Sequence, residues 1–191
     1  MARCINRRTC ITAVALALAA SAPDVPAETA SKFFDQAFAT AQGGTPCYGR
    51  TYDEAHLKSH TQQTVRAIEI DMAQSNASEI ANTPERFELG FAVMTRKSAE
   101  WYGGVAICKA AGDQAECFLE GDGGKFKLTS AADGALRLET GDYGLAFEGT
   151  KDFIELSGKD GDDRVFLLNP GRAECDAAEA FFNDSKSLEP G

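Results

Sequence analysis

The segment ICKAAGDQAECF, Ile107 to Phe118, sets two of the chain's six cysteines on either side of a Gly-Asp pair. Glycine followed by aspartate at the centre of a two-residue connection is the chemistry of a type II′ hairpin turn. Counting outward from Gly112-Asp113 pairs Ala111 with Gln114, Ala110 with Ala115, Lys109 with Glu116 and Cys108 with Cys117. Lys109 and Glu116 carry opposite charges, and the cysteines fall at a non-hydrogen-bonded position, where cross-strand side chains lie closest. The register predicts an antiparallel hairpin stapled by Cys108–Cys117.

Alternation with a period of two continues on both sides of this hairpin. Ile68, Ile70 and Met72 alternate with Glu69 and Asp71, and Phe87, Leu89, Phe91 and Val93 share a face. Further along, Phe126 with Leu128, Leu136 with Leu138, then Tyr143, Leu145 and Phe147, and finally Ile154 with Leu156 repeat the pattern. Turn chemistry recurs at Gly112-Asp113, Asp122-Gly123-Gly124, Asp133-Gly134, Gly141-Asp142, Thr150-Lys151 and Lys159 to Asp163. That spacing leaves no room for crossover helices, so neighbouring strands must be antiparallel. The reading is a mainly β protein, an up-and-down antiparallel β-barrel of eight or nine strands over 64–168 with short N- and C-terminal helices. Closure is favoured because it removes exposed edges. Phe87, Phe91, Phe126 and Phe147 on the inward face predict a filled interior in place of a hollow calyx. An outer-membrane barrel is excluded, because Lys125, Lys127, Arg137 and Glu139 would point into lipid.

The segment Val165 to Leu168 is apolar on both faces, so its outer side is expected to be covered. Beyond it, 169–191 reads as a helix from Arg172 to Phe182 followed by a polar tail, with Cys175, Ala178, Phe181 and Phe182 towards one side.

At the other end, Arg3, Arg7 and Arg8 precede an apolar run that closes on Val25-Pro26-Ala27, the pattern of a signal peptide over 1–27. The expected location is secreted, in a bacterial periplasm. No later stretch is long and apolar enough for a membrane span. Removal of 1–27 lowers Lys+Arg from 19 to 16 and Asp+Glu from 29 to 28, so the net charge moves from −10 to −12. So acidic a chain lacks the electrostatic footprint of a nucleic-acid binder, whereas a basic protein would be attracted. Four cysteines remain, an even number suited to an oxidising compartment. With Cys108–Cys117 assigned by register, elimination leaves Cys47–Cys175.

Residues 28–63 are expected to form an N-terminal helical segment and a lid over the barrel. Phe34, Ala37, Phe38 and Ala41 share a helical face, and Gly43-Gly44 is a natural stop. The lid is CYGRTYDEAHLKSH, Cys47 to His60. Asp53 is placed to cap a short helix over 54–59 that stacks His56 over His60. Tyr48, Arg50 and Tyr52 alternate, so an extended segment aims them to one side, and an arginine between two phenols suits a carboxylate, a phosphate or an aromatic group. Tyr48, Arg50, Tyr52, His56 and His60 are therefore the candidate ligand-binding residues. Leu57 follows His56 where a zinc-protease helix has glutamate, so no metal is assigned. No catalytic residue and no cofactor are assigned either. Asp160, Asp162 and Asp163 lack the ligand spacing of an EF-hand and read as a solvated hairpin tip.

The pattern C-Y-x-R-x-Y-x-x-x-H-L-x-x-H-x-x-Q-x-V, Cys47 to Val65, resembles a family of uncharacterised secreted bacterial proteins. The resemblance implies export and carries no activity. In layout the chain also resembles small periplasmic barrels that inhibit lysozyme or proteases. Three functions follow as expectations: a non-catalytic binding module for a small anionic ligand or a protein; an inhibitor of a basic hydrolase acting through the acidic tips at Asp122, Asp142 and Asp160 to Asp163; and a metal-dependent hydrolase, which requires His56 and His60 to meet a carboxylate from elsewhere.

Overall fold

A computed structural model describes residues 32–39, 46–72, 82–157, 159 and 161–187. The signal segment 1–27, Ala41, Gly43-Gly44, Asp160 and the extreme C-terminus lie outside the described residues. The chain is mainly β. The described residues form nine strands, β1 (Cys47–Thr51), β2 (Val65–Asp71), β3 (Arg86–Thr95), β4 (Trp101–Ala111), β5 (Gln114–Leu119), β6 (Gly124–Ser130), β7 (Leu136–Glu148), β8 (Phe153–Leu156) and β9 (Val165–Pro170). Each strand pairs antiparallel with its neighbours in the order β6-β5-β4-β3-β2-β1-β9-β7-β8, and the β6–β7 pairing closes eight of them into a cylinder.

The hairpin registers as the sequence predicts, with Cys108 opposite Cys117, Lys109 opposite Glu116, and Gly112 at φ +66°. Cys108–Cys117 and Cys47–Cys175 are both bridged. Such bonds persist in an oxidising compartment. No helix among the described residues is long and apolar enough to cross a membrane.

Three expectations need correction, each for a physical reason. First, Cys47–Thr51 is not part of a lid: it is a strand of the wall, paired with β2 and, at Tyr48↔Pro170 and Gly49↔Asn169, with β9. Main-chain ladder bonds satisfy its buried backbone, which a lid would have left to side chains. Second, Gly141-Asp142 is no turn between strands. On β6, Phe126 faces Thr140 and Gly124 faces Leu145, so residues 141–144 form an excursion within one long strand. Tyr143, expected beside Leu145 and Phe147 in the core, is thrown outward and is 96% exposed. Third, β8 and β9 are not a hairpin. Both pair with β7, β8 along its C-terminal half and β9 along its N-terminal half, so together they make one interrupted stave.

The interior is filled. Phe91 packs edge-on against Phe126 and Phe147 at centroid separations of 4.9 and 4.8 Å, and Phe87, Ile68, Ile70, Leu89, Leu128, Leu138 and Leu168 are fully buried around them. At one end, α1 (Lys32–Phe34) runs into a π-helical turn, Asp35–Ala39. The wider winding brings Phe33 and Phe38, five residues apart, onto the buried face, a pair that a regular α-helical face would separate. Tyr48 joins them: its ring lies 5.8 Å from Phe38 and its hydroxyl donates to Ala37 O at 2.6 Å. Tyr48→Phe should cost about 1 kcal/mol in denaturant unfolding, the net worth of one buried hydrogen bond.

The helix α3 (Ala173–Ser187) packs on the outside of β1, β2 and β4. It continues past the boundary expected at Phe182, through residues read as a polar tail. One row of the sheet explains its seat: Gly49 faces Glu69, Glu69 faces Ala92, and Ala92 faces Gly103. Small residues make a trough for the helix. A Cβ on Gly49 would come within 2.6 Å of Glu174 Cβ, and one on Gly103 within 2.7 Å of Phe182 Cζ. Trp101, Ala67, Ala92 and Ala178 complete this outer cluster, with Phe181 and Phe182 packed against it. α3 does not cover β9, however. Val165 and Leu167 remain 47% and 40% exposed on its outer face, contrary to the expected cover.

The trough also buries Glu69, at 0% exposure, beside Asp71. Burial pushes the Glu69 carboxyl well above its usual range, Asp71 and Glu174 add to the rise, and Arg172 opposes it. A carboxyl raised in the folded state releases its proton from the unfolded chain first. Stability is therefore full below about pH 4.5, the ordinary carboxyl value, and falls as pH rises towards the folded value, by roughly 1.4 kcal/mol per pH unit for one proton. Glu69→Gln should flatten that slope in urea titrations above about pH 4.5. An unchanged slope would place the titrating group elsewhere.

Candidate functional site

The candidate residues of the Cys47–His60 segment separate into two groups. Tyr48 belongs to the core, as described above. Arg50, Tyr52, His56 and His60 form a continuous stack at the other end of β1. The Arg50 guanidinium lies 4.9 Å from the Tyr52 ring centroid, Tyr52 lies 4.6 Å from His56, and His56 lies 4.1 Å from His60, the two imidazoles within 14° of parallel.

Local chemistry builds this stack. Asp53 caps α2 (Glu54–Ser59) by accepting from His56 N at 2.7 Å, and the helix then places the histidines one turn apart. Gln63 Nε2 donates to Val65 O at 2.8 Å, which fixes Gln63 Oε1 as the acceptor facing His56 Nε2 at 3.0 Å. His56 therefore carries its proton on Nε2. His60 Nδ1 lies 3.0 Å from the His56 carbonyl and acts as donor there. Parallel rings set their nitrogens side by side instead of aiming them at a common ion. Among the described residues, the grouping of three or more ligating side chains is Glu69, Asp71 and Cys175, and it contains neither histidine.

Arg50 donates one long bond, 3.4 Å, to Leu167 O. The rest of its fork has no partner among the described residues. Tyr52 is buried, which pushes its phenol up to about 12; Arg50 opposes the rise and Asp163 adds to it. Tyr52 is thus a neutral platform between a cation and an imidazole.

Asp163 is not the solvated tip that the sequence implied. It is 3% exposed, and its carboxylate accepts from Thr64 N at 2.7 Å, from Thr64 Oγ1 and from Val65 N at 3.1 Å. It pins the 157–164 connection to the start of β2. This matters because the backbone ladder thins there: among the described residues β1 and β9 pair only through Tyr48 and Gly49, and β8 pairs with β7 alone. Side chains close the seam where strands do not.

Beside the pinned loop the seam stays open. A cleft of about 990 Å³ runs between the 61–64 loop and β8. Tyr102, Ile154 and Leu156 line it with apolar surface; Gln63, Arg96 and Lys97 stand with the 61–64 loop, and Asp152 and Glu155 with β8. Arg96 Nη1 donates to the carbonyls of Gln63 at 3.2 Å and His60 at 3.5 Å, which ties the β3–β4 turn to the stack. Gln63 therefore serves both features, wall of the cleft on one side and partner of His56 on the other. Sequence reasoning missed this cleft. Its lining comes from three separate stretches, 61–64, 95–102 and 152–156, and the one signal in the 47–65 pattern was Gln63, its Q.

A second concavity, about 380 Å³, lies among Asp122, Asp142, Tyr143 and Glu155. It gathers two of the acidic tips, Asp122 and Asp142, around the outward Tyr143. Comparison with protein-family models, with curated proteins and with solved structures finds no match to this chain.

Proposed function

We propose that this chain is an exported, periplasmic, non-catalytic binding module whose ligand enters the seam cleft between the 61–64 loop and β8. The single observation that carries the reading is the open seam itself: the wall gives up its ladder at one place, and there an apolar floor lies between walls of opposite charge. Arg96 and Lys97 on one side and Asp152 and Glu155 on the other, with Glu100 also in the lining, suit a dipolar ligand, a short peptide above all, better than the purely anionic one that Arg50 alone suggested. The stack of Arg50, Tyr52, His56 and His60 buttresses the loop that forms one wall. Tyr48, Tyr52, Leu57, Gln63 and Val65 are all buried and hold the 47–65 segment in shape.

The test is retention of a pool of random tri- to pentapeptides, read by mass spectrometry after gel filtration. The wild-type protein should retain a subset, and Lys97→Glu and Ile154→Asp should each reduce it at least tenfold. Equal retention by both variants would contradict the reading.

A second reading is inhibition of a basic hydrolase, and Tyr143 favours it. A tyrosine at 96% exposure beside Asp122, Asp142 and Glu155 is the kind of aromatic anchor with an acidic rim that a cationic protein surface accepts. It predicts inhibition of a lysozyme or protease at low ionic strength that fades as salt is raised and is lost in Tyr143→Ala.

A further inference from the structure

The outer trough holds a group that neither the cleft nor the stack uses. Glu69 is fully buried, and its Oε1 has no hydrogen-bond partner among the described residues. Its Oε2 lies 3.1 Å from Cys175 Sγ, a sulfur committed to the disulfide and without a proton to give. Oxygens of Glu69 and Asp71 and the Cys175 sulfur all lie within 4.8 Å of one another. Strand register adds the fourth donor. Cys47 stands directly opposite Asp71, Gly49 stands opposite Glu69, and Cys175 descends from α3 above them. Two carboxylates and the Cys175 sulfur thus meet at one buried point, and Cys47, bonded to Cys175 and registered opposite Asp71, stands beside them.

We propose that this point is a latent site for a divalent cation of the zinc type, closed while Cys47 and Cys175 are bridged and opened by their reduction. In the bridged state neither sulfur is an anionic ligand. A thiol reductant supplies the two electrons: two molecules of the reductant become one external disulfide, and the chain gains two thiols. The cation then displaces both thiol protons and the proton that burial keeps on Glu69, all released to solvent, and Cys47, Cys175, Glu69 and Asp71 provide two sulfur and two oxygen ligands. Thiolate with carboxylate in a four-coordinate set suits zinc, and cobalt(II) as its spectroscopic stand-in. The cation also resolves the burial of Glu69, whose idle oxygen gains a partner. Because the ligands come from β1, β2 and α3, the bound cation holds the helix where the disulfide had held it.

The experiment uses residues 28–191, which lack Cys4 and Cys10, carrying Cys108→Ser and Cys117→Ser, so that no other cysteine can contribute. The protein is reduced with a thiol, freed of reductant under anaerobic conditions, and titrated with cobalt(II). The expected result is one equivalent bound, with the visible bands of tetrahedral cobalt and thiolate-to-metal charge transfer, displaced by zinc. Trp101 fluorescence, perturbed by reduction, should return as the cation re-seats α3. The unreduced protein should show none of this. Glu69→Gln and Asp71→Asn, each tested after reduction, should weaken binding at least about tenfold while leaving strand circular dichroism intact. Reduced protein that shows no charge-transfer band, or that unfolds and takes up no cobalt, would overturn the proposal. So would full affinity in both carboxamide variants, which would leave a site made by the thiols alone.

Discussion

Removal of the Cys47–Cys175 bridge, by paired substitution to alanine, is expected to lower the unfolding free energy by up to about 5 kcal/mol, against about 2.7 kcal/mol for Cys108–Cys117, on the loop-entropy estimate. The difference follows from separation along the chain, 128 residues in the first case and 9 in the second. The long bridge also does something specific. It fastens α3 over the trough of Gly49, Ala92 and Gly103, where the helix is otherwise held by Ala178, Phe181 and Phe182 and by the bond from Thr51 Oγ1 to Glu174 Oε1. Loss of the bridge should therefore release α3 before the barrel opens. Trp101, buried beneath the helix, should become accessible to a quencher at denaturant concentrations that leave the strand signal unchanged. Simultaneous loss of both signals would mean that α3 is seated by packing alone.

Asp163→Ala is expected to cost about 3 kcal/mol, large for a residue in a loop. A buried carboxylate receiving three donors is worth more than neutral hydrogen bonds, and its removal strands the Thr64 and Val65 amides. Asp163→Asn keeps one acceptor oxygen and should lose less. Both variants loosen the 157–164 connection, so urea unfolding checks the stability term, and peptide retention should fall in parallel because β8 loses its anchor.

How far the sequence could be read depended on whether the deciding interaction was local. Cys108–Cys117 was legible because one turn fixed every pair beyond it and the charges of Lys109 and Glu116 agreed. The Asp53 cap and the His56–His60 stack were legible for the same reason: a cap and a helical turn act within a few residues. β1 was not. Its inward side carries Arg50 between two tyrosines, and only partners far along the chain, Ile68 and Asn169 among them, make it a wall strand. Glu69 and Asp71 looked like the solvent side of β2, which they would be without α3. Tyr143 obeyed the alternation in sequence and broke it in space, because an excursion inside a strand shifts register without leaving a mark in the hydrophobic period. Of the five candidate site residues, four stack together and Tyr48 faces the core, a division set by where β1 stops pairing with β9.

The seam cleft is tested most directly by backbone amide shifts of isotope-labelled protein on addition of the random peptide pool. Shifts concentrated at Gln63, Thr64, Arg96, Lys97, Ile154 and Leu156, with Asp122 and Tyr143 unmoved, are the predicted result. Shifts confined to Asp122, Asp142 and Tyr143, or no shifts at all, would contradict a ligand site in the open wall of the barrel.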